Sequence, residues 1–161
     1  MKKQRGFTIV ELLLYMGLLT ILMTILTRLF TATIDVQLSS EATGGVEEDS
    51  RYIYSRLAYD LSRADSIVTP AIPGASSDSL TIVIGSKTYT YRVSGTNLIL
   101  ANDTGEGALN SYMTGISNVT FTSLGSDTGK KSIQVKYTIT STIQSSSGLV
   151  SRNIETAITQ K

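Results

Sequence analysis

An α+β fold built on one long amino-terminal helix is what this chain predicts, and three observations predict it. Apolar residues fill most of the first 30 positions, apolar residues then recur at helical spacing to about residue 69, and from Ser79 onward the spacing changes to two. A helix whose distal half covers one face of a carboxy-terminal antiparallel sheet satisfies all three. With 161 residues there is room for one small domain and an extension, and for no second catalytic module.

The first element is the apolar helix, residues 7–30. It follows a short basic segment, residues 1–6, in which Lys2, Lys3 and Arg5 carry three positive charges. Leu12 to Thr27 is 16 residues without a charge, and counting back to Phe7 gives 21. As a helix that stretch spans roughly 30 Å, enough for one membrane crossing. The basic flank stays cytoplasmic, so everything after Arg28 lies outside, with Arg28 snorkelling to the outer head groups. Glu11 stands inside this span, where a carboxylate costs about 2.5–3.5 kcal/mol at the bilayer centre. It either stays wet at the cytoplasmic head groups or meets a cation. A cleaved secretory signal, with Leu12 to Leu26 as its apolar region, is the competing reading, and Arg28 just before its cleavage zone argues against it.

Residues 31–69 continue the helix outside the membrane. Thr31, Thr33, Ile34 and Val36 are poor helix formers, and Gly44-Gly45 predicts a break near 44–45. Beyond it, Ile53, Leu57, Leu61, Ala64 and Val68 follow at steps of 4, 4, 3 and 4, an amphipathic helix from Val46 to Val68 with one face to cover. Glu47, Glu48 and Asp49 suit its start, and Pro70 with Pro73-Gly74 ends the pattern. Asp60 falls one turn from Arg56 and Arg63, the spacing of a solvated charge pair.

Residues 70–161 read as β-rich. Ser79 to Ile84, Lys87 to Val93 and Leu98 to Ala101 are short β-branched or aromatic runs separated by Gly85-Ser86 and by Ser94 to Asn97, a meander. Ile116 to Leu124, Ser132 to Ile143 and Val150 to Thr159 form a second group. Ile133, Val135, Tyr137, Ile139 and Ile143 share one parity, opposite a face of Gln, Lys and Thr. Ser126 to Gly129 is a hairpin turn.

Composition removes most familiar active sites. The chain has no His, no Cys and no Trp, which excludes a Ser/His/Asp triad, a thiol nucleophile, disulfides and His- or Cys-ligated zinc. Ser and Thr number 43 while charged residues reach only 17%, which suits a polar-surfaced β domain. A net charge of +1 gives no field for a polyanion. Removing the three basic residues of 1–6 makes it negative.

The amino terminus, KKQRGFTIVELLLYMGLLTIL, resembles that of type IV prepilins and of type II secretion pseudopilins. In that family a short basic leader ends in Gly, Phe most often follows, and a Glu stands fifth after the cut; Gly6, Phe7, Thr8 and Glu11 fill those positions. The resemblance implies cleavage between Gly6 and Phe7 by a membrane-embedded prepilin peptidase and N-methylation of Phe7, with Lys2, Lys3, Arg5, Thr8 and Glu11 serving peptidase recognition and assembly. It further implies that the Phe7 amine, from the same or a neighbouring subunit, neutralises Glu11, and that other pilins of the filament and an inner-membrane assembly platform are the partners. The implied fold is the pilin fold, and the implied place is the inner membrane, single-pass, with the carboxy-terminal domain outside the cytoplasm and later in a periplasmic or surface filament. YIYSRLAYDLSRADSI followed by KTYTYRVSGTNLIL is similar to the J-type minor pseudopilin and the W-type minor pilin, with Asp60, Leu61, Ala64, Tyr91 and Leu98 matching in kind. The implied role is a non-enzymatic minor pilin or pseudopilin of the initiation or tip type. A DNA-uptake minor pilin and a single-span anchored binding module are the alternatives.

Other candidates are weaker. Asn102 to Gly107 is oxygen-rich and bent by Gly, and Asp103 and Glu106 are the residues that would favour calcium, but the loop lacks the spaced ligands of an EF-hand, and no metal or cofactor is expected. Lys87, Arg92, Lys130, Lys131 and Lys136 are too sparse for a nucleic-acid face. Paired carboxylates for catalysis, Asp60 with Asp65 or Asp103 with Glu106, have no supporting spacing. The tyrosines Tyr52, Tyr54, Tyr59, Tyr89, Tyr91, Tyr112 and Tyr137 read as packing residues.

Overall fold

A computed structural model describes residues 8–125, 131–146 and 148–160. The chain divides into two units, Met1–Gln37 and Leu38–Lys161. One α-helix, α1, runs over Ile9–Arg63. In the first unit every described residue is exposed except Glu11 and Asp35, which are half-buried. This apolar surface, Ile9 to Phe30, is long and apolar enough to cross a membrane.

In the second unit α1 buries Ala42, Val46, Asp49, Ser50, Ile53, Leu57, Asp60 and Leu61, all on one face. Among the described residues nine strands follow. β1 (Ser66–Thr69), β3 (Leu80–Ile84), β4 (Lys87–Ser94), β5 (Asn97–Asn102) and β6 (Gly105–Ala108) make a five-stranded antiparallel sheet in the order β1-β3-β4-β5-β6. β2 (Ser76–Ser77), β7 (Thr114–Leu124), β8 (Ser132–Ser145) and β9 (Gly148–Thr159) make a second, in the order β2-β7-β8-β9. The core joins the helix face to both sheets: Ile53, Leu57 and Leu61 with Leu80, Ile82, Tyr91 and Leu98 of the first, and with Ile116, Phe121, Ile133, Val135, Tyr137 and Ile139 of the second. The α+β architecture is therefore as the sequence predicts, with two sheets where a single sheet was expected.

Alternation along β8 places Ile133, Val135, Tyr137 and Ile139 inside, and cross-strand pairs such as Thr138 with Asn153 and Thr140 with Ser151 outside. The tight connection Gly85-Ser86 between β3 and β4 needs a positive φ at its first residue, and Gly85 supplies it at 63°. Gly95 does the same between β4 and β5 at 62°.

Three expectations are corrected. The helix does not break at Gly44-Gly45. Each glycine costs about 1 kcal/mol against alanine, whereas full burial of each of Val46, Ile53, Leu57 and Leu61 contributes about 1.5–3 kcal/mol, so packing wins. Gly45 also lies close to the loop before β7, where an added Cβ would stand 3.5 Å from Cβ of Met113. The helix ends at Arg63 rather than Val68. The Ala64 amide bonds back to Leu61, Asp65 already donates its N–H to Val83 at 2.8 Å, and β1 takes over with period two. Ile67 is consequently buried, and Val68, placed on the helix face by its spacing, is 49% exposed. The segment 102–107 is not a single loop: a short turn leads into β6. The predicted turn at Ser126 to Gly129, with Lys130, lies outside the described residues.

Candidate assembly helix

The helix begins on Thr8. Its hydroxyl accepts the Glu11 N–H at 3.2 Å, and its carbonyl accepts the Leu12 N–H at 3.1 Å, so Thr8 is the N-cap and Glu11 the third residue of the first turn. Thr-x-x-Glu before an apolar run is the sequence signal that could have located this cap. The Glu11 side chain does not return to the cap; its Oε1 accepts the Tyr15 hydroxyl at 3.0 Å. One polar partner is thus supplied from the next turn of the same helix.

The hydroxyls deeper in the run are also satisfied internally. Thr20, Thr24 and Thr27 donate to the carbonyls of Met16, Thr20 and Met23 at 2.8–2.9 Å. A helix that closes its own polar groups can sit in hydrocarbon without unpaired donors. Of the residues expected to act in processing, Thr8 and Glu11 are brought together by the cap. Lys2, Lys3, Arg5, Gly6 and Phe7 lie outside the described residues.

The distal half of α1 is locked to the domain by two buried carboxylates. Asp60, expected as a solvated charge, is 2% exposed. Its Oδ2 accepts the Tyr91 hydroxyl at 2.5 Å and the Arg56 Nε–H at 2.9 Å, because the helix face that carries Leu57 and Leu61 turns it onto β4. Burial, followed by the Asp60 hydrogen bond and charge, pushes the Tyr91 hydroxyl far above the usual tyrosine range. Burial acts to lower the Arg56 pKa, but Asp60 and Tyr91 outweigh it and the net shift is upward. Asp49, 8% exposed, accepts the Ser111 N–H at 2.9 Å, the Ser111 hydroxyl at 2.8 Å and the Thr114 hydroxyl at 2.5 Å, which ties the loop before β7 to the helix. Burial also pushes the Tyr137 hydroxyl up to about 12. The resemblance marks Asp60 and Tyr91 one by one, but nothing in a single sequence pairs residues 31 positions apart.

The weaker candidates are placed as follows. Glu106 pairs with Arg92 at 2.6 Å, and Asn102 Oδ1 accepts the Thr104 and Gly105 amides of its own turn, so Asp103 and Glu106 do not converge. Among the described residues no group of three or more acidic side chains could hold a metal ion. Asp60 and Asp65 are engaged separately: the Asp65 carboxylate accepts the Gly85 N–H at 2.5 Å, while Asp60 accepts from Tyr91 and Arg56.

A capped apolar helix with one carboxylate in its first turn, long enough to cross a membrane, followed by antiparallel sheets, is an α+β architecture that matches the pilin fold. Residues 1–27 match the prokaryotic N-terminal methylation motif, which supports a likeness to the precursors of type IV pilins and pseudopilins. No curated protein and no solved structure matches the chain.

Proposed function

We propose that this chain is a minor pilin or pseudopilin, an initiation or tip subunit of a type IV pilus or a type II secretion pseudopilus, and that it performs no chemistry of its own. The observation that carries the reading is the methylation motif at residues 1–27 on a capped, exposed apolar helix. In this reading prepilin peptidase cuts between Gly6 and Phe7 at the inner membrane and Phe7 is N-methylated. In the sequence the new amine comes one residue before the Thr8 cap and four before Glu11. A carboxylate accepts several donors, so the Tyr15 hydroxyl leaves capacity for that ammonium group, from the same subunit or a neighbour. Neutralising Glu11 this way removes the penalty of a bare carboxylate in an apolar bundle. The J- or W-type likeness of residues 52–100 supports a minor role.

Mass spectrometry of the assembled protein tests the reading: the terminus should be N-methyl-Phe7. Glu11→Ala should insert and be cut normally yet fail to be methylated or to enter the filament. Met1 or Lys2 at the terminus of assembled protein, or parental assembly of Glu11→Ala, would sink it.

A further inference from the structure

The second sheet ends in an open edge. β9 is 12 residues long and pairs with β8 on one side, and among the described residues no strand lies on its other side. The Gln160 amide donates to the Lys131 carbonyl at 2.9 Å, one step beyond the pairing of Ser132 with Thr159 in the same register. Because hydrogen bonding alternates along an antiparallel pair, Arg152, Ile154, Thr156 and Ile158 turn their N–H and C=O groups to β8, and Ser151, Asn153, Glu155, Ala157 and Thr159 turn theirs outward. These five alternate residues present a regular row of donors and acceptors. Proteins commonly blunt such an edge with proline, lysine, a bulge or a very short strand. The other edge strands, β1, β2 and β6, have four, two and four residues, whereas Gly148 to Thr159 holds no proline and no lysine, and its register with β8 is unbroken over 151–159.

The helix flanks this edge. Glu47 pairs with Arg152, and at the other end Gln160 donates its side-chain amide to the Ala64 carbonyl at 2.6 Å, so α1 runs alongside β9 in the same direction. Between them lies a cavity of about 210 Å³ lined by Thr43, Val46, Glu47, Val150, Ser151 and Arg152. Tyr54 shares the helix flank of Glu47 and Arg51, at steps of 4 and 3, and is 48% exposed. On the inward face of β9, Val150 and Ile154 are only half-buried. A strand added beside β9 would lie along this flank, its alternate side chains continuing the apolar row of Val150, Ile154 and Ile158.

We propose that the free edge of β9 accepts an extended segment of a different subunit as an added strand. Among polypeptide conformations, only an extended backbone offers donors and acceptors at the two-residue period that the outward row sets; main-chain bonds of this kind supply affinity while alternate side chains supply selectivity. The segment that fits carries apolar residues at alternate positions, one branched side chain filling the cavity beside Val150, and no carboxylate opposite Glu155. A second copy of the chain is a poor occupant, because antiparallel pairing through the same five residues sets Glu155 directly against its own counterpart. The source of the strand rests on the assembly reading above, whereas the edge and its groove do not.

The full chain in lipid nanodiscs tests the edge against a defined probe, a labelled nine-residue peptide alternating threonine and valine with lysine at its centre. Fluorescence anisotropy should report binding, and amide exchange at Ser151, Asn153, Glu155, Ala157 and Thr159 should slow about tenfold under saturating peptide while exchange along β8 stays unchanged. Ala157→Pro removes an outward N–H and no bond to β8, so the fold persists and peptide affinity should fall about tenfold. The same peptide with its backbone fully N-methylated keeps the side chains, loses the donors and should not bind, a control that does not depend on any variant folding. No binding of the parent peptide, equal binding of the N-methylated one, or outward amides as protected as those of β8 before any peptide is added would overturn the edge. A photoreactive side chain in place of Ala157 then reads the source in assembled material: the expected result is an adduct to another processed subunit, mapped by mass spectrometry to an extended alternating segment. No adduct, or an adduct only to a second copy of this chain or to an exported protein, would overturn the subunit source. An unprocessed terminus in assembled protein would overturn the assembly reading and that source with it, and would leave the edge to the peptide result.

Discussion

Alkaline titration is a direct test of the two buried tyrosines that hold the helix to the sheets. Tyr91 and Tyr137 are 0% and 1% exposed, and burial raises both hydroxyls, that of Tyr137 to about 12 and that of Tyr91 higher. An unfolded tyrosine ionises near pH 10. The folded state therefore keeps these protons when the unfolded state loses them. Stability is fully present below about pH 10 and falls as pH rises toward the folded values. At pH 11 the linkage amounts to about 1.4 kcal/mol for each tyrosine, or about 2.8 kcal/mol for the pair. Urea unfolding of a fragment starting at Thr31, followed at pH 8, 10 and 11, measures this. Tyr91→Phe should halve the loss between pH 10 and 11, while itself costing about 1.5–3 kcal/mol at pH 8 through the lost bond to Asp60. Ultraviolet titration of the same fragment should show Tyr91 and Tyr137 ionising above pH 10, with part of that late signal lost in Tyr91→Phe. Ionisation of Tyr91 and Tyr137 near pH 10 with the fold intact, or an unchanged pH slope in Tyr91→Phe, would refute the reasoning.

Gly44→Ala should stabilise that fragment by up to about 1 kcal/mol, since Gly44 is exposed and helical with nothing within 4 Å of an added Cβ; a loss of stability in thermal melts would mean that the helix is not continuous there. Asp49→Ala should cost about 2–3 kcal/mol and raise amide exchange at Ser111 to Thr114, because it leaves the Ser111 and Thr114 hydroxyls and the Ser111 amide without their acceptor. Leu57→Ala, at a site with no exposed surface on the face shared by both sheets, should cost about 2–5 kcal/mol in urea unfolding.

Where one periodicity dominated and ran long, the sequence was enough. Leu12 to Thr27 carries no charge to compete with an apolar helix, and β4 and β8 each alternate over eight residues or more, so the spacing of their own side chains decides which face is inside. The cap at Thr8 is likewise local, because all its atoms lie within one turn. The placement of Glu11 beside a processing motif is legible for the same reason: motif and carboxylate are read within 27 consecutive residues.

Tertiary contact decided the rest. Gly44-Gly45 breaks a helix by propensity alone, but flanking residues buried against two sheets hold it straight through. Ala64 to Val68 fits a helix by spacing and becomes turn and strand because Val83 captures the Asp65 amide from 18 positions away. The four residues of β6, Gly105 to Ala108, have almost no side-chain signal and form a strand through pairing with β5. Asp60 looks like any solvated helix charge until Tyr91, on another element, supplies the proton that lets it be buried. Local spacing reports what a segment can bury; which partner covers it is set by pairings between distant residues, and those energies are absent from any window of the sequence.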